Sequence, residues 1–283
     1  MKPKIGVLDS GRGALSVIKE LLKRNIKCDF LYFADYKNLP YGTKSKEELL
    51  NIAEGISAFF AKADLDCLLV ACNTMCAHGL SAFKIKKLSI IDSNISALEK
   101  ALKGNKRARA LIFGTESLIR SSIYQEYFKD FDIAYFHANE LVNLAESLSV
   151  DEIKERKRDN KLDKRVLEIL NNFKNKLSLD FKPDLIVLAC THFPFFKREF
   201  EAIFEAKVLH QADLIFDSLV EMEMNAQRSE ENIKKYSEEN IPREGNKAIL
   251  GRSDIKIQAN KIAFVSSSDN AEHLASFALA YLS

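Results

Sequence analysis

An excess of charge of either sign is missing from this sequence. Its 283 residues include 42 Lys and Arg against 40 Asp and Glu, which gives a formal net charge of +2. A nucleic-acid-binding protein more often shows a clustered basic excess. The basic run Lys154–Arg158 is followed directly by Asp159, a pattern typical of a solvated helix face. We therefore expect no nucleic-acid partner.

The sequence also lacks a signal peptide and any uninterrupted apolar stretch long enough to span a bilayer. These absences favour a cytoplasmic protein with no membrane partner. The cysteines number five, and an odd number without a secretory signal argues against a disulfide framework. Any special role of a cysteine should therefore be chemical.

The chain does contain a regular alternation of short apolar runs with longer helical patterns. This alternation predicts β-α-β units around parallel sheets, whose strands are covered on both faces. A last helix, Asn270–Leu282, should pack back on the first half, and the polar stretch Ser229–Gly245 should form an exposed loop or helix. The predicted strands are Ile5–Leu8, Phe30–Phe33, Cys67–Ala71, Ala110–Phe113, Ile133–Phe136, Leu185–Ala189 and Ile262–Val265, and the clearest predicted helices are Leu15–Leu22, Lys46–Ala63 and Asp163–Leu177.

Residues 66–74 and 184–192 repeat one pattern. Each segment has an aspartate, an apolar strand, an alanine, a cysteine and then two polar residues. The chain therefore looks like two similar α/β halves. Ligands of open α/β sheets bind at the carboxyl ends of the strands, and Cys72 and Cys190 both lie at such an end.

Two thiols in matched positions favour a chemical role. A lone cysteine at a strand end is more often an inert buried residue. Inverting an sp³ carbon, however, needs one acid/base group on each face, and the two groups exchange roles when the direction changes. Cys72 and Cys190 in two similar halves suit this task. The polar pairs Asn73-Thr74 and Thr191-His192 could open helices that favour a thiolate.

Other uses of the cysteines fit their spacing less well. Zinc could bind through Cys190, His192 and a third ligand, but these residues form no known zinc pattern. Cys72 and Cys76 do not have the spacing of the usual two-residue redox motif. Cys28, Cys67 and Cys76 are predicted to be packing residues.

Two loops bring small polar residues to strand ends. The segment Asp9–Ala14 is too short for a P-loop, and it lacks the third glycine of a dinucleotide fingerprint. It more simply carries Asp9 and Ser10 to the end of a strand through a tight, glycine-containing turn. Pro40 and Gly42 indicate a rigid turn before the next helix.

Together these motifs make the chain similar to the glutamate racemase family, within the aspartate/glutamate racemases, over nearly its whole length. The shared pieces follow the family's order and approximate spacing, which makes their combination specific. They are Asp9-Ser10-Gly11, Pro40 to Ser45, Ala71-Cys72-Asn73-Thr74, Gly114-Thr115 with Ser121 and Tyr124, Leu141-Val142 with Leu144 and Glu146, and Cys190 to Pro194.

The resemblance implies two similar α/β domains with mostly parallel central sheets, related by pseudo-twofold symmetry, with the active site in the cleft between them. The first domain would comprise residues 1–96 and 208–283, and the second residues 97–207. The implied reaction interconverts L- and D-glutamate without cofactor or metal and supplies D-glutamate for peptidoglycan synthesis. The partner is then a small acidic amino acid, and a homodimer is a possible assembly.

Residue roles also follow from the resemblance. Cys72 and Cys190 resemble the two bases. Asp9 resembles the carboxylate that supports the first base, and His192 resembles the imidazole that supports the second. Glu146 resembles a further acidic residue of the site. The expected substrate contacts are Ser10, Pro40, Tyr41, Gly42, Asn73, Thr74, Thr115, Ser117, Ser121 and Thr191.

Several positions depart from the family, and two of them, Arg12 and Leu118, bear on the substrate. Arg12 stands where an apolar residue is usual, and it could intrude on the mouth of the site or pair with an acidic neighbour. Leu118 replaces a threonine that binds substrate in the family. We expect Ser117 or Ser121 to supply the missing hydroxyl, with Arg12 as the alternative contact to the substrate. Aspartate or another acidic amino acid is therefore the alternative substrate, and a binding or regulatory protein with little turnover is the alternative function.

Overall fold

Two β-sheets organise the part of the chain that the structure describes. The computed structural model describes residues 2–103, 105, 107–209, 212, 215–222, 251–257 and 260–282. The first sheet has the strand order β4-β3-β1-β2-β10-β9, and the second has the order β6-β5-β7-β8. The strands are β1 Lys4–Asp9, β2 Asp29–Ala34, β3 Cys67–Val70, β4 Lys87–Ser89, β5 Arg109–Gly114, β6 Asp132–His137, β7 Leu185–Ala189, β8 Lys207–Leu209, β9 Gly251–Ile257 and β10 Asn260–Ser266.

Helices connect the strands and cover the sheets. Short 3₁₀ turns at Tyr36–Asn38, Tyr41–Thr43, Leu80–Ala82 and Phe193–Phe196 join longer elements. The helices are α1 Leu15–Lys23, α2 Lys46–Lys62, α3 Asn73–Gly79, α4 Ile90–Leu102, α5 Glu116–Arg120, α6 Ile123–Tyr127, α7 Asn139–Ser147, α8 Val150–Asp159, α9 Lys164–Lys174 and α10 Lys197–Phe204, followed by helical residues 215–222 and the C-terminal helix Ala271–Leu282.

The predicted α/β class with mostly parallel sheets is confirmed. All pairings in the second sheet are parallel, and in the first sheet only β9 runs antiparallel to its neighbour, within the described residues. The order β4-β3-β1-β2 in the first sheet recurs as β8-β7-β5-β6 in the second. Strand β3 thus corresponds to β7, as the repeated sequence pattern predicts, and β1 corresponds to β5.

All seven predicted strands are confirmed, and three further strands, β4, β8 and β9, were not predicted. The C-terminal helix contacts β9, β10 and α1, and it also contacts α8 of the other half. The expected domain boundary after residue 207 falls inside β8, which pairs with β7 of the second sheet. The predicted polar loop Ser229–Gly245 lies outside the described residues.

Parallel pairing brings the functional strand ends together. Asp9 ends β1, and Cys72 follows β3, its neighbour in the first sheet. Thr115 follows β5, and Cys190 follows β7, its neighbour in the second sheet. Buried apolar residues such as Leu8 make these strands rigid supports. Each sheet therefore presents its polar residues at one edge.

Candidate active site

A cleft collects polar residues from the strand ends of both sheets. Most of the expected site residues line it, together with one residue that was not predicted, Val142. Two expected residues, Asp9 and Glu146, lie behind the lining, where they contact it through hydrogen bonds. The lining residues are Ser10, Tyr41, Gly42, Cys72, Asn73, Thr74, Thr115, Val142, Cys190, Thr191 and His192.

The two thiols belong to different sheets and face the same cleft. Cys72 precedes α3 as its N-cap residue, and Cys190 immediately follows β7. Their exposed fractions are 7% and 6%, so each is almost shielded from bulk solvent. Burial, reinforced by the nearby Asp9 carboxylate, raises the pKa of the Cys72 thiol well above its ordinary value. Cys72 therefore rests as a protonated thiol.

Cys190 lies at the end of a chain of acid/base groups. The Nδ1 atom of His192 is 3.7 Å from the Cys190 sulfur, and its Nε2 atom is 2.6 Å from Glu146 Oε1. Burial alone would lower the pKa of His192, but the contacts with Cys190 and Glu146 outweigh burial and raise it well above its ordinary value. His192 is therefore held as an imidazolium between the Glu146 carboxylate and the Cys190 sulfur.

Asp9 is fully buried behind the cleft, next to Thr191. Its Oδ2 atom accepts a hydrogen bond from the Ala14 amide at 2.9 Å, and Thr191 Oγ1 lies 3.2 Å from Oδ1. Burial raises the pKa of Asp9 from 3.8 to about 6, although His192 opposes this effect. Asp9 thus hydrogen-bonds to the other half of the protein, and its influence on Cys72 is electrostatic.

The turn between β1 and α1 passes close to these groups. A Cβ atom on Gly13 would lie 2.8 Å from both Asp9 Oδ2 and His192 Cε1, and it would clash with the Thr191 hydroxyl. Glycine is therefore required at this position because the backbone approaches the catalytic side chains too closely for any side chain.

Asn73 offers the cleft an unused hydrogen-bond donor. Its Oδ1 atom accepts from Asn94 Nδ2 at 2.9 Å and from the Tyr124 hydroxyl at 3.3 Å. Its buried Nδ2 atom has no partner. The hydroxyls of Thr74 and Thr115 lie 2.7 Å apart across the two halves. A ligand with carboxylate oxygens would satisfy such donors, since buried polar groups need hydrogen-bond partners.

The loop that contains Tyr41 and Gly42 closes one wall of the cleft. Tyr41 is buried, and its hydroxyl donates to Asp35 Oδ2 at 2.7 Å. A Cβ atom on Gly42 would lie 2.7 Å from Thr115 Cβ, so the loop packs directly against the second half. Pro40 is half-buried and precedes this turn without lining the cleft.

The hydroxyls of Ser117 and Ser121, two of the expected substrate contacts, bond to other groups of the protein. The Ser117 hydroxyl donates to the Lys44 carbonyl at 2.9 Å, and the Ser121 hydroxyl donates to the Leu118 carbonyl at 2.6 Å. Neither serine lines the cleft, and neither does Leu118, which is fully buried. Local backbone acceptors capture both hydroxyls, so Thr115 is the hydroxyl residue that this turn presents to the cleft.

Arg12 does not line the cleft either. Its Nε atom lies 3.1 Å from Glu146 Oε2, so the predicted pairing with an acidic neighbour is confirmed. The alternatives, intrusion on the mouth of the site and contact with the substrate, are not supported, because the side chain is only 5% exposed and does not line the cleft.

Val142 and Asn94 are the residues that sequence reasoning missed. Val142 lies one helical turn before Glu146 on α7, so helical spacing from that residue would have placed it on the same face. Asn94 lies on α4 and reaches the site only through Asn73, a contact for which the sequence contains no signal.

Several negative findings apply to the described residues. None of the described helices is long and apolar enough to cross a membrane. No group of three potential metal-binding side chains occurs in this part of the chain. All five cysteines are described, and none of them forms a disulfide bond.

A cleft with a thiol on each side, backed on one side by a carboxylate and on the other by an imidazole, defines a class of α/β proteins suited to two-base proton transfer. No known protein-family model matches the chain. Glutamate racemase from Campylobacter jejuni is 33% identical over 226 residues, which cover 78% of this chain and 86% of that protein. Glutamate racemase from Helicobacter acinonychis is 34% identical over 205 residues, which cover 71% and 76% respectively.

The fold comparison agrees with the sequence comparison. The crystal structure of the Campylobacter jejuni enzyme matches with a TM-score of 0.75 and 27% identity, covering 99% of this chain and 98% of that one. This chain belongs to the glutamate racemase family.

Proposed function

We propose that this protein interconverts L- and D-glutamate, with Cys72 acting on one face of the substrate Cα atom and Cys190 on the other. The observation that carries the proposal is the shared cleft, in which each sheet contributes one thiol. Asp9 supports the first thiol, and His192 with Glu146 supports the second. Membership of the glutamate racemase family favours glutamate as the substrate.

Proton transfer can begin directly from this arrangement. Cys190 as a thiolate removes the Cα proton, and Cys72, which rests protonated, delivers its own proton to the opposite face. The C–H electron pair passes into the adjacent carboxylate as an enolate and returns to Cα when the second proton arrives. Product release leaves Cys190 protonated and Cys72 as a thiolate, which is the state required for the reverse direction.

Neutral donors hold the substrate carboxylates in this proposal. Asn73, whose Nδ2 atom has no partner, lines the cleft together with Thr74 and Thr115, whose hydroxyls lie 2.7 Å apart. Hydrogen bonds to carboxylates are charge-assisted and therefore stronger than neutral ones. None of the residues that line the cleft is a lysine, the residue type that binds pyridoxal phosphate as a Schiff base. The chemistry proposed here uses only the side chains of the site.

The proposal extends to the role of the product, the location of the protein and its domains. The resemblance to glutamate racemases implies that D-glutamate feeds peptidoglycan synthesis. Five cysteines without a disulfide bond are typical of a protein from a reducing compartment, which supports a cytoplasmic location. We also propose two domains, one around each sheet; the expected boundaries after residues 96 and 207 fall inside α4 and β8, so the chain should cross between the domains beside these elements rather than within them.

The test is circular dichroism of purified protein incubated separately with L-glutamate and L-aspartate, with no added cofactor and with a chelator present. We expect the L-glutamate signal to decay to zero as the racemate forms, and the L-aspartate signal to persist. Decay with aspartate alone would establish the alternative substrate. Persistence of both signals would favour a binding or regulatory protein on the same scaffold.

A further inference from the structure

Arg12 is a buried cation whose hydrogen-bonding groups are all directed at protein atoms around the site. Its backbone amide donates to Glu146 Oε1 at 2.7 Å, and its Nε atom lies 3.1 Å from Glu146 Oε2. Its Nη1 atom donates to the Leu148 carbonyl at 2.7 Å. A buried charge is costly unless it is paired and hydrogen-bonded, so this set of partners explains how the cation is tolerated.

The C-terminal helix supports the other side of the guanidinium. The Arg12 Cζ atom lies 4.1 Å from the centre of the Phe277 ring, and Nη2 lies 3.4 Å from His273 Nε2. Phe277 and His273 are one helical turn apart on that helix, so they contact the same group. Arg12 therefore joins three elements: the turn after β1, the end of α7 and the C-terminal helix.

Glu146 receives two different kinds of contact as a result. Oε1 accepts from His192 Nε2 and from the Arg12 backbone amide, while Oε2 contacts the Arg12 side chain. The side-chain contact is the one that a substitution removes, because the backbone contact persists in any variant. Without it, the carboxylate is held at one oxygen only and can rotate, which would disturb the hydrogen bond that orients His192 toward Cys190.

We propose that Arg12 is a positioning residue for racemisation: it fixes both oxygens of Glu146 so that Glu146 orients His192 against Cys190, and the C-terminal helix holds Arg12 in place. The inference rests on the proposed function, because Arg12 lies outside the cleft and can affect the catalytic Cys190 only through Glu146 and His192. Arg12 does not touch the cleft, so its loss should slow turnover without weakening substrate binding.

The test compares Arg12→Met, Arg12→Lys and the unmutated protein in the glutamate assay. We expect Arg12→Met to lower kcat at least about 10-fold while KM changes less than about threefold, the pattern of an interaction that matters in the transition state. Arg12→Lys keeps the charge but not the fork geometry, so its kcat should lie between the other two. If Arg12→Met does not fold, Arg12→Gln takes its place with the same expectation.

Arg109→Met provides a matched control. Arg109 also has an ion pair, with Asp132 at 2.9 Å, donates to the Asp180 carbonyl and lies 5.5 Å from the Phe181 ring. It sits at the start of β5, at the opposite end of the sheet from the cleft. The kcat of Arg109→Met should therefore match that of the unmutated protein.

A double-mutant cycle with Glu146→Gln tests the route of the effect. If Arg12 acts through Glu146, Arg12→Met should lower kcat less than about threefold in the Glu146→Gln background, because residues in one network are not additive. Unchanged kcat in Arg12→Met, a rise in KM alone, or full additivity would overturn the inference while leaving the racemase proposal intact. An unmutated protein that racemises no acidic amino acid would overturn both.

Discussion

Glu146 Oε1 lies 2.6 Å from His192 Nε2, in an ion pair that is almost entirely buried. Burial alone would raise the pKa of Glu146, but His192 and Arg12 together lower it below its ordinary value. The hydrogen bond with Cys190 and this contact with Glu146 together keep the pKa of His192 well above its ordinary value, against the effect of burial. The ion pair therefore sets both the charge and the orientation of the imidazole that faces Cys190.

Glu146→Gln should keep the size of the side chain and remove its charge. We expect kcat to fall about 10- to 100-fold, since a hydrogen bond to a charged group contributes about 1.5–3 kcal/mol. The pKa of His192 should fall, so the imidazolium is lost at lower pH and the alkaline decline of kcat/KM should move to lower pH. The measurement is the pH profile of kcat/KM between about pH 6 and pH 10.

Glu152→Gln is the control for that profile. Glu152 is a helix-capping carboxylate on α8 that accepts a hydrogen bond from the Ser149 amide at 2.8 Å, a contact that glutamine can also make. The pH profile of kcat/KM for Glu152→Gln should match that of the unmutated protein. If kcat/KM of Glu146→Gln declined at the same alkaline pH as that of the unmutated protein, Glu146 would not set the protonation of His192.

Asp9→Asn should change the pH dependence of stability. The pKa of Asp9 is raised to about 6 in the folded protein from an ordinary 3.8. Folding therefore favours the protonated form, so the contribution of Asp9 to stability is full below about pH 3.8 and is lost as pH rises through about 6. Between about pH 4 and pH 7.5, the unmutated protein should lose up to about 3 kcal/mol relative to Asp9→Asn.

Urea unfolding of both proteins at the two pH values measures this difference, because the other titrating groups are common to both. Asp64→Asn removes an exposed carboxylate that pairs with Lys4 at 2.7 Å, and a pair of that kind should contribute less than about 1 kcal/mol. If the free energy of unfolding changed equally with pH in Asp9→Asn and in the unmutated protein, burial would not raise the pKa of Asp9. Asp9→Asn should also turn over more slowly, since Asp9 supports Cys72.

Gly13→Ala should damage the site through geometry alone. The added methyl group would press on Asp9, Thr191 and His192, and small displacements of catalytic groups can cost about 100-fold in rate. We expect kcat to fall by about this factor while circular dichroism shows a folded protein.

Gly55→Ala is the matched control for Gly13→Ala. Gly55 lies inside α2, and a Cβ atom there would meet nothing within 4 Å. Alanine should stabilise the helix by about 1 kcal/mol and leave kcat unchanged. Full activity in Gly13→Ala would contradict the close approach of this turn to the catalytic groups.

Leu118→Thr should affect stability rather than substrate binding. Leu118 is fully buried and does not line the cleft. Replacing it by a smaller, polar residue should cost about 2–3 kcal/mol of unfolding free energy, with KM for glutamate changed less than about twofold. Thr115→Val removes a hydroxyl that faces the cleft and should raise KM about 10-fold. A lower KM in Leu118→Thr would instead place residue 118 at the substrate.

Much of the fold could be predicted because strands such as β1 and β7 are buried on both faces and read as apolar runs. The missed strands lack that signal. β4 and β8 have three residues each, which is too short for a pattern. β9, Gly251–Ile257, contains Arg252, Asp254 and Lys256 and lies at the edge of its sheet, where only one neighbouring strand pairs with it.

The candidate site could be predicted where polar residues directly follow a strand, as Cys72 and Cys190 do. Contacts that cross between the halves could not be predicted from spacing. Thr191 hydrogen-bonds to Asp9 across 182 positions of the chain, and Arg12 contacts Glu146 across 134. The hydrogen bonds of Ser117 and Ser121 to nearby carbonyl groups could not be predicted either, because the sequence leaves this local competition open.

Both thiols should be necessary for racemisation. Cys72→Ser and Cys190→Ser should each lower kcat by about 10²- to 10⁴-fold, the usual contribution of a general acid–base group. Cys76→Ser is the control, because the Cys76 sulfur donates to the Val70 carbonyl at 3.1 Å and does not line the cleft. It should remain active, and loss of activity in all three variants alike would point to a structural effect.

The most direct test of the two-thiol mechanism is the position of deuterium early in the reaction of L-glutamate in heavy water. One thiol removes the Cα proton and retains it on its own face, while the other, already exchanged with solvent, delivers deuterium to the opposite face. Proton NMR with chiral separation should therefore find D-glutamate deuterated at Cα while the remaining L-glutamate is still largely protiated. Equal early deuteration of both enantiomers, or D-glutamate that retains its original proton, would contradict the assignment of Cys72 and Cys190 to opposite faces.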